Sequence, residues 1–213
     1  MQQELEAIDI PTRESAKAHI IVGNRFNWAH DGKITPVEIN AEKVRLRSEL
    51  TAARPHSSHG LFENLWLVAN ELLAQNPNAV IATYSSTSSE PNMERFNSSL
   101  EQSSAVTVYP KVVGEELDFA TGPLIAGNFG IQEPIGKVVS PEAIDLFIIP
   151  ALAADRHGNR IGKGRGYYDR LLQKLSQPVF AVVFDEEFLA QIPVQEFDQK
   201  ISGVITPSAI HQF

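Results

Sequence analysis

Three glycines alternate with two cations in the run Gly162-Lys163-Gly164-Arg165-Gly166. Glycine lets a backbone approach a ligand closely and adopt positive φ. An apolar run, residues 144–150, precedes the loop, and a helix-compatible run, residues 167–175, follows it. Strand, glycine loop and helix start together make the plan of an anion site. Free N–H groups and the helix dipole favour a phosphate there, and Lys163 and Arg165 add full charges. Asp169 falls three residues past Gly166, placed to reach back as a cap or to hold a metal. The spacing is neither Gly-x4-Gly-Lys-Ser/Thr nor Gly-x-Gly-x-x-Gly. Residues 156–170 carry five of the chain's 18 Lys and Arg (Arg156, Arg160, Lys163, Arg165 and Arg170), a density that sets this loop apart. A phosphate or nucleotide site is therefore expected. A tight turn with solvated cations is the alternative.

The rest of the chain limits what such a loop can serve. It has 213 residues, 43% of them hydrophobic and 21% charged, which suits one compact domain with both faces of a sheet covered. A net charge of −8 argues against a general nucleic-acid binder, which needs a broad basic surface. A basic pocket on an acidic body fits a small anionic ligand. With no cysteine there is no disulfide and no thiolate chemistry, as in a cytoplasmic protein. No apolar run approaches the ~20 residues of a membrane span. The first residues lack the basic and apolar regions of a signal peptide. A cytoplasmic location is expected, with no membrane or nucleic-acid partner.

The elements that must position the loop follow from periodicity. Residues 18–23 could form a short strand within an otherwise unreadable stretch, 1–40, expected to pack as an extension on a domain of residues 41–213. Asn40 is a candidate cap for a helix over 41–53, on which Lys43 and Arg47 share a face. A second helix fits 61–73, with Leu61, Leu65, Val68 and Leu72 at helical spacing. Residues 79–84 read as a buried strand, the serine-rich loop 85–90 follows, and Pro91 opens a helix to about residue 100. Further strands fit 105–109, 144–149, 178–184 and 204–206, and 117–120 pairs antiparallel after Gly114. Alternating strands and helices imply a three-layer α/β/α fold with a mainly parallel sheet. Ligands of such sheets sit beyond the carboxyl ends of the strands. Loops 85–90 and 151–166 both lie there.

Other candidates are weaker on spacing alone. Glu90 is either a helix-start carboxylate favoured by the dipole or a carboxylate at the sheet mouth orienting a ligand N–H. It stands with no cation near it in sequence. Phe129 is either core or an aromatic face for a flat heterocycle. Asp198 gains no role from spacing. The histidines, His56 and His59 among them, form no zinc pattern, and no Gly-x-Ser-x-Gly elbow is present.

The run from Asp145 to Asp169, with Ile148-Ile-Pro-Ala, Asp155, Gly158-Asn-Arg-Ile-Gly162 and Gly164-Arg-Gly-Tyr-Tyr-Asp169, resembles the signature of the 5-formyltetrahydrofolate cyclo-ligase (methenyltetrahydrofolate synthetase) family. Lys43-x-x-Leu46-Arg47, Tyr109-Pro-Lys111, Phe129-Gly-Ile-x-Glu-Pro134 and Ile192-Pro-Val…Asp198 recur in family order, so the resemblance spans about residues 41–206. It implies a Rossmann-like fold (NagB/RpiA/CoA-transferase-like) and a monomer. It also implies ATP- and Mg2+-dependent closure of 5-formyltetrahydrofolate, with or without a polyglutamate tail, to 5,10-methenyltetrahydrofolate. By the same resemblance Lys43, Arg47, Arg160, Ile161, Gly162, Lys163, Gly164, Arg165, Gly166, Tyr167 and Tyr168 bind ATP, and Lys163 and Arg165 carry the catalysis. Asp169 and Asp198 hold Mg2+, and Ser85, Glu90, Phe129 and Tyr167 contact the folate. Two positions depart from the pattern. Ala151 replaces a glycine, and Ala154 replaces a phenylalanine whose loss is expected to widen the folate pocket. A non-catalytic nucleotide or folate binder on the same scaffold is the other reading.

Overall fold

A computed structural model describes residues 35–55, 57–127 and 131–213. The candidate strand at 18–23 and Phe129 lie outside them. Every described element belongs to the unit Ile34–Phe213. The first helix, α1 (Pro36–Ala53), starts earlier than residue 41. Thr35 and not Asn40 is its cap: the Thr35 hydroxyl accepts the Glu38 N–H at 3.3 Å, and the Glu38 carboxylate accepts the Thr35 N–H at 2.7 Å. This reciprocal pair satisfies two helix-end donors, and Pro36 fits the first helical position.

Helix α2 (Leu61–Gln75) leads into β1 (Val80–Ala82), α3 (Glu94–Glu101), β2 (Val106–Val113) and β3 (Glu116–Thr121). The short pieces β4 (Leu124–Ala126), β5 (Gln132–Pro134) and β6 (Val138–Val139) come next. Then follow β7 (Leu146–Pro150), β8 (Ala153–Asp155), β9 (Arg160–Ile161), α4 (Tyr167–Leu172) and β10 (Val179–Val182). The chain closes with β11 (Phe188–Leu189), β12 (Gly203–Ile205) and β13 (Ile210–Gln212).

The main sheet runs β13-β12-β10-β7-β1-β2-β3-β6. Its centre, from β12 to β2, is parallel, and antiparallel strands close both edges. Alternation along the central strands makes the two cores. Leu146 and Ile148 of β7, with Phe180 and Val182 of β10, face Leu61, Leu65, Phe96 and Leu100 of α2 and α3. Phe147, Ile149, Val179 and Ala181 face the other way, toward Leu171 and Leu172 of α4. Strands buried on both faces read as continuous apolar runs, as these do.

The second face is not an ordinary helical layer. Helix α4 has six residues and ends at Leu172 rather than 175. A small sheet, β11-β8-β9, lies in the chain segments around it. Its sharp turn is organised by the enclosed Asp155, whose carboxylate accepts from the His157 and Asn159 backbone N–H groups at 2.9 and 3.0 Å and from Ile192 N–H at 3.1 Å. Ala154 is fully enclosed in the core beside this turn. It is not among the residues lining the cavity described below. Helix α3 begins at Glu94, and Pro91 precedes it without opening it.

Candidate active site

The glycine run connects β9 to α4 as an irregular loop, with Lys163, Gly164 and Arg165 exposed. Two of its glycines have left-handed backbone, Gly164 at φ 92° and Gly166 at φ 72°. Side chains rarely adopt that region, so glycine is required at both. A Cβ at Gly166 would also meet the Arg170 guanidinium at 2.8 Å. Arg170 in turn donates to the Glu115 carbonyl at 2.9 Å, and its guanidinium lies 5.3 Å from the centre of the Tyr167 ring. At the other end of the loop Arg47 donates to the Gly162 carbonyl at 3.0 Å. The loop is thus held by one arginine at each end while its tip faces solvent. With only six residues in α4, the helix dipole contributes less than the full charges of the loop.

Lys163 does not point only to solvent. Its ammonium lies 2.7 Å from the Glu90 carboxylate, with 53% of the lysine side chain exposed and 5% of the glutamate. The other Glu90 oxygen accepts from the Thr87 N–H at 2.8 Å and the Thr87 hydroxyl at 3.0 Å. The absence of cations near Glu90 in sequence is reversed in space. The parallel order brings the loop after β1 beside the loop that follows β7 through β9. Since α3 starts at Glu94, the helix-start account of Glu90 also falls away. Ser85, Thr87 and Glu90 line a cavity of about 510 Å3 with Tyr109, Leu124 and Phe184.

Two cations of α1, at positions 43 and 47, and Arg54 directly after its last residue face this region, at spacings that return to one side of a helix. The enclosed Lys43 donates to Asp198 and, at 3.3 Å, to Gln195. Arg47 holds the glycine loop as described. Arg54 makes a buried two-pronged pair with Glu187, at 2.7 and 3.2 Å. Asp169 does not cap α4; it accepts from Arg160 at 2.6 Å. Burial lowers the Arg160 pKa, while Asp169 and Asp198 oppose that shift, so both carboxylates act on one guanidinium. Among the described residues no three His, Asp or Glu side chains group as a metal site.

Burial, followed by the Glu90 charge, pushes the Tyr168 hydroxyl well above its ordinary pKa, against the pull of Arg160. The Arg160 guanidinium lies 5.8 Å from the Tyr168 ring centre. Tyr168 therefore feels Glu90, whereas Tyr167 meets Arg170. Ile161 is enclosed in β9, and its neighbour Arg160 keeps a buried Nε without a partner. Sequence reasoning missed Arg54, Glu187 and Tyr84, whose buried hydroxyl also has no partner. Arg54 carried a signal, its helical register with Lys43 and Arg47. Glu187 and Tyr84 carried none that spacing reveals.

The fold and the site define an open α/β protein with its polar machinery gathered beyond the carboxyl edge of a parallel sheet. The model of the 5-formyltetrahydrofolate cyclo-ligase family matches residues 39–207, and the chain belongs to that family. The 5-formyltetrahydrofolate cyclo-ligase of Mycolicibacterium smegmatis is 40% identical over 94 residues, 42% of this chain and 48% of that protein. The chain thus spans about half the length of that relative. The Haemophilus influenzae protein of the same name is 25% identical over 181 residues, 79% of this chain and 95% of that one. The solution structure of Aquifex aeolicus 5,10-methenyltetrahydrofolate synthetase superposes with a TM-score of 0.68 at 26% identity, covering 80% of this chain and 92% of that one.

Proposed function

We propose that the chain closes 5-formyltetrahydrofolate to 5,10-methenyltetrahydrofolate at the expense of ATP, releasing ADP and phosphate. The observation that carries this reading is the 2.7 Å pair between Lys163 and Glu90. It joins a phosphate-type loop to a carboxylate at the mouth of the sheet, as a reaction between a triphosphate and a heterocycle requires.

The chemistry sets the roles. N10 of the folate attacks the N5-formyl carbon and gives up its proton to solvent, and the formyl oxygen must leave. Hydroxide leaves poorly. Transfer of the γ-phosphoryl group to that oxygen breaks the bond to ADP and turns the oxygen into part of a phosphate leaving group. Lys163 and Arg165 stabilise the charge on the transferring group, and the loop N–H groups cradle the phosphates. Lys43, Arg47, Arg160 and residues 161–168 form the ATP side of the site. Glu90 accepts a pterin N–H, with Ser85 in the same cavity; Phe129 and Tyr167 are assigned to the folate by family resemblance. Holding N10 against the formyl carbon makes the closure effectively unimolecular.

The donor set suits a Mg2+ ion that arrives with its nucleotide. Asp169 and Asp198, which both act on Arg160, would hold it, and among the described residues no third His, Asp or Glu groups with them. When bound, the ion screens the triphosphate charge. Asp169→Asn should flatten the Mg2+ titration of ATP binding while the fold persists; an unchanged titration removes Asp169 from the metal site. The reaction itself is tested by ADP release. ADP formation that requires 5-formyltetrahydrofolate supports the proposal. ATP binding without folate-dependent ADP release would leave a nucleotide binder.

A further inference from the structure

Arg54 and Glu187 are enclosed, with 3% and 2% of their side chains exposed, and no step above uses them. A buried ion pair is seldom worth more to a fold than apolar side chains of the same volume. What it adds is direction. The guanidinium places Nε on Glu187 at 2.7 Å and Nη2 on the Ala151 carbonyl, also at 2.7 Å. Glu187 passes the constraint on, because its second oxygen accepts the Phe184 N–H at 3.0 Å. The Arg54 guanidinium also lies 5.6 Å from the centre of the Phe184 ring.

Both recipients stand at the ends of central strands. Ala151 directly follows β7 and stands at the open end of the β8–β9 hairpin, where Leu152 N–H donates to the Ile161 carbonyl at 2.7 Å and Ala153 pairs with Ile161, so the glycine loop leaves from the same end. Phe184 lies two residues past β10 and lines the cavity shared by Ser85 and Glu90. Arg47, seven residues before Arg54, which directly follows that helix, holds the exit of the hairpin at Gly162. Helix α1 and its C-terminal cap thus grip the open end of the hairpin on both of its strands. The buried Tyr84 hydroxyl, with no partner of its own, has Glu90, Arg54 and Glu187 among the charges acting on it, so the brace lies alongside the site.

We propose that Arg54 is a positioning residue for this site. Through the Ala151 carbonyl and through Glu187 it fixes the open end of the glycine-loop hairpin and the Phe184 wall of the cavity in one register. The inference rests on reading the two loops as the phosphate and folate sides of the site. Lysine keeps the charge but lacks the planar fork that reaches two acceptors at once.

The test uses Arg54→Lys and, where that variant fails to fold, the paired Arg54→Met/Glu187→Leu, which leaves no charge buried alone. Two readouts are taken: turnover with both substrate Michaelis constants, and backbone amide exchange of residues 162–166. Turnover is expected to fall about ten- to hundredfold, as for a small misplacement transmitted to reacting groups. Michaelis constants should change by less than about threefold, the signature of binding kept while a transition-state interaction is lost. Exchange of the loop amides should quicken, with the melting temperature of the paired variant within about 5 °C of wild type. Wild-type turnover together with wild-type exchange would overturn the proposal. If the wild-type chain itself shows no turnover, the functional reading falls, and loop exchange alone decides the brace: faster exchange supports it, unchanged exchange ends it.

Discussion

Among the ion pairs that join cations to glutamates, Arg54–Glu187 and Lys163–Glu90 differ in where water can reach. Arg54 and Glu187 are both enclosed, and each has a second backbone partner. Lys163 and Glu90 also stand 2.7 Å apart, yet the lysine is half exposed. In the first pair neither charge can leave without stranding the other in a low-dielectric interior. In the second the lysine can exchange its partner for a phosphate at little cost, while Thr87 continues to satisfy one oxygen of Glu90. The enclosed pair is a fixture and the half-exposed pair an exchangeable contact. In the proposed function structure is held by the one and ligands are taken up by the other.

Arg54→Ala breaks the comparison most heavily. It leaves Glu187 buried without its cation, at a cost of about 3–5 kcal/mol, read by urea denaturation. Burial already raises the Glu187 pKa, more than Arg54 and the Phe184 N–H lower it. A carboxyl whose folded pKa lies above its unfolded value binds its proton more tightly when folded. Its favourable contribution is present at low pH and lost as pH rises through the folded value. The Arg54→Ala variant should accordingly be more stable near about pH 5 than near about pH 8. A loss below about 1 kcal/mol would place this pair with surface pairs.

Lys163→Ala should do the reverse. ATP affinity should fall by about 1.5–3 kcal/mol, roughly ten- to hundredfold, through the loss of a charge-assisted phosphate contact. Stability should move by about 1 kcal/mol or less. Arg165→Ala should behave alike. Calorimetric titration of ATP beside a melting curve separates the two effects, and ATP affinity kept within about twofold would make these cations solvated or structural.

Glu90→Gln sharpens the idea of exchange. The folate Michaelis constant should rise by about tenfold, the worth of one charged hydrogen bond. ATP affinity should hold or improve, because Lys163 no longer has a competing carboxylate. Weaker ATP binding in this variant would contradict the exchange. The smallest effect lies at the sheet edge, far in sequence from either pair. Burial, helped by Arg156, lowers the His211 pKa, and its ring stacks on Phe188 at 4.0 Å. The neutral imidazole is favoured in the folded state, so stability should decline slightly as pH falls through about 6.5, where the unfolded imidazole takes up its proton. His211→Asn should remove that slope; an unchanged slope would assign it to other groups.

The parallel centre of the sheet was legible because Leu146-Phe-Ile-Ile and Val179-Phe-Ala-Val are apolar on both faces, which only a doubly covered strand tolerates. The separate β4-β5 pair, the edge strand β6, the small sheet and β13 were not. Each is two or three residues long, too short for alternation to show. Thr35 and Glu38 spelled a capping box that Asn40 concealed, since both residue types cap helices. The glycine loop was legible from charge and spacing. Its contact with Glu90 was not, because residues 90 and 163 meet only through the order of β1 beside β7. Sequence spacing likewise gave no sign that Lys43 would be enclosed against Asp198.

In the proposed function the glycine loop and Glu90 form one site that spends ATP to close a folate ring. The most direct measurement follows methenyl-folate absorbance after 5-formyltetrahydrofolate and Mg·ATP are added to the wild-type chain and to Lys163→Ala. Growth that needs ATP in the wild type and slows at least tenfold in the variant is the predicted result, since the lost phosphate contact is worth about 1.5–3 kcal/mol. No growth with the wild type, or equal growth in both, would contradict it.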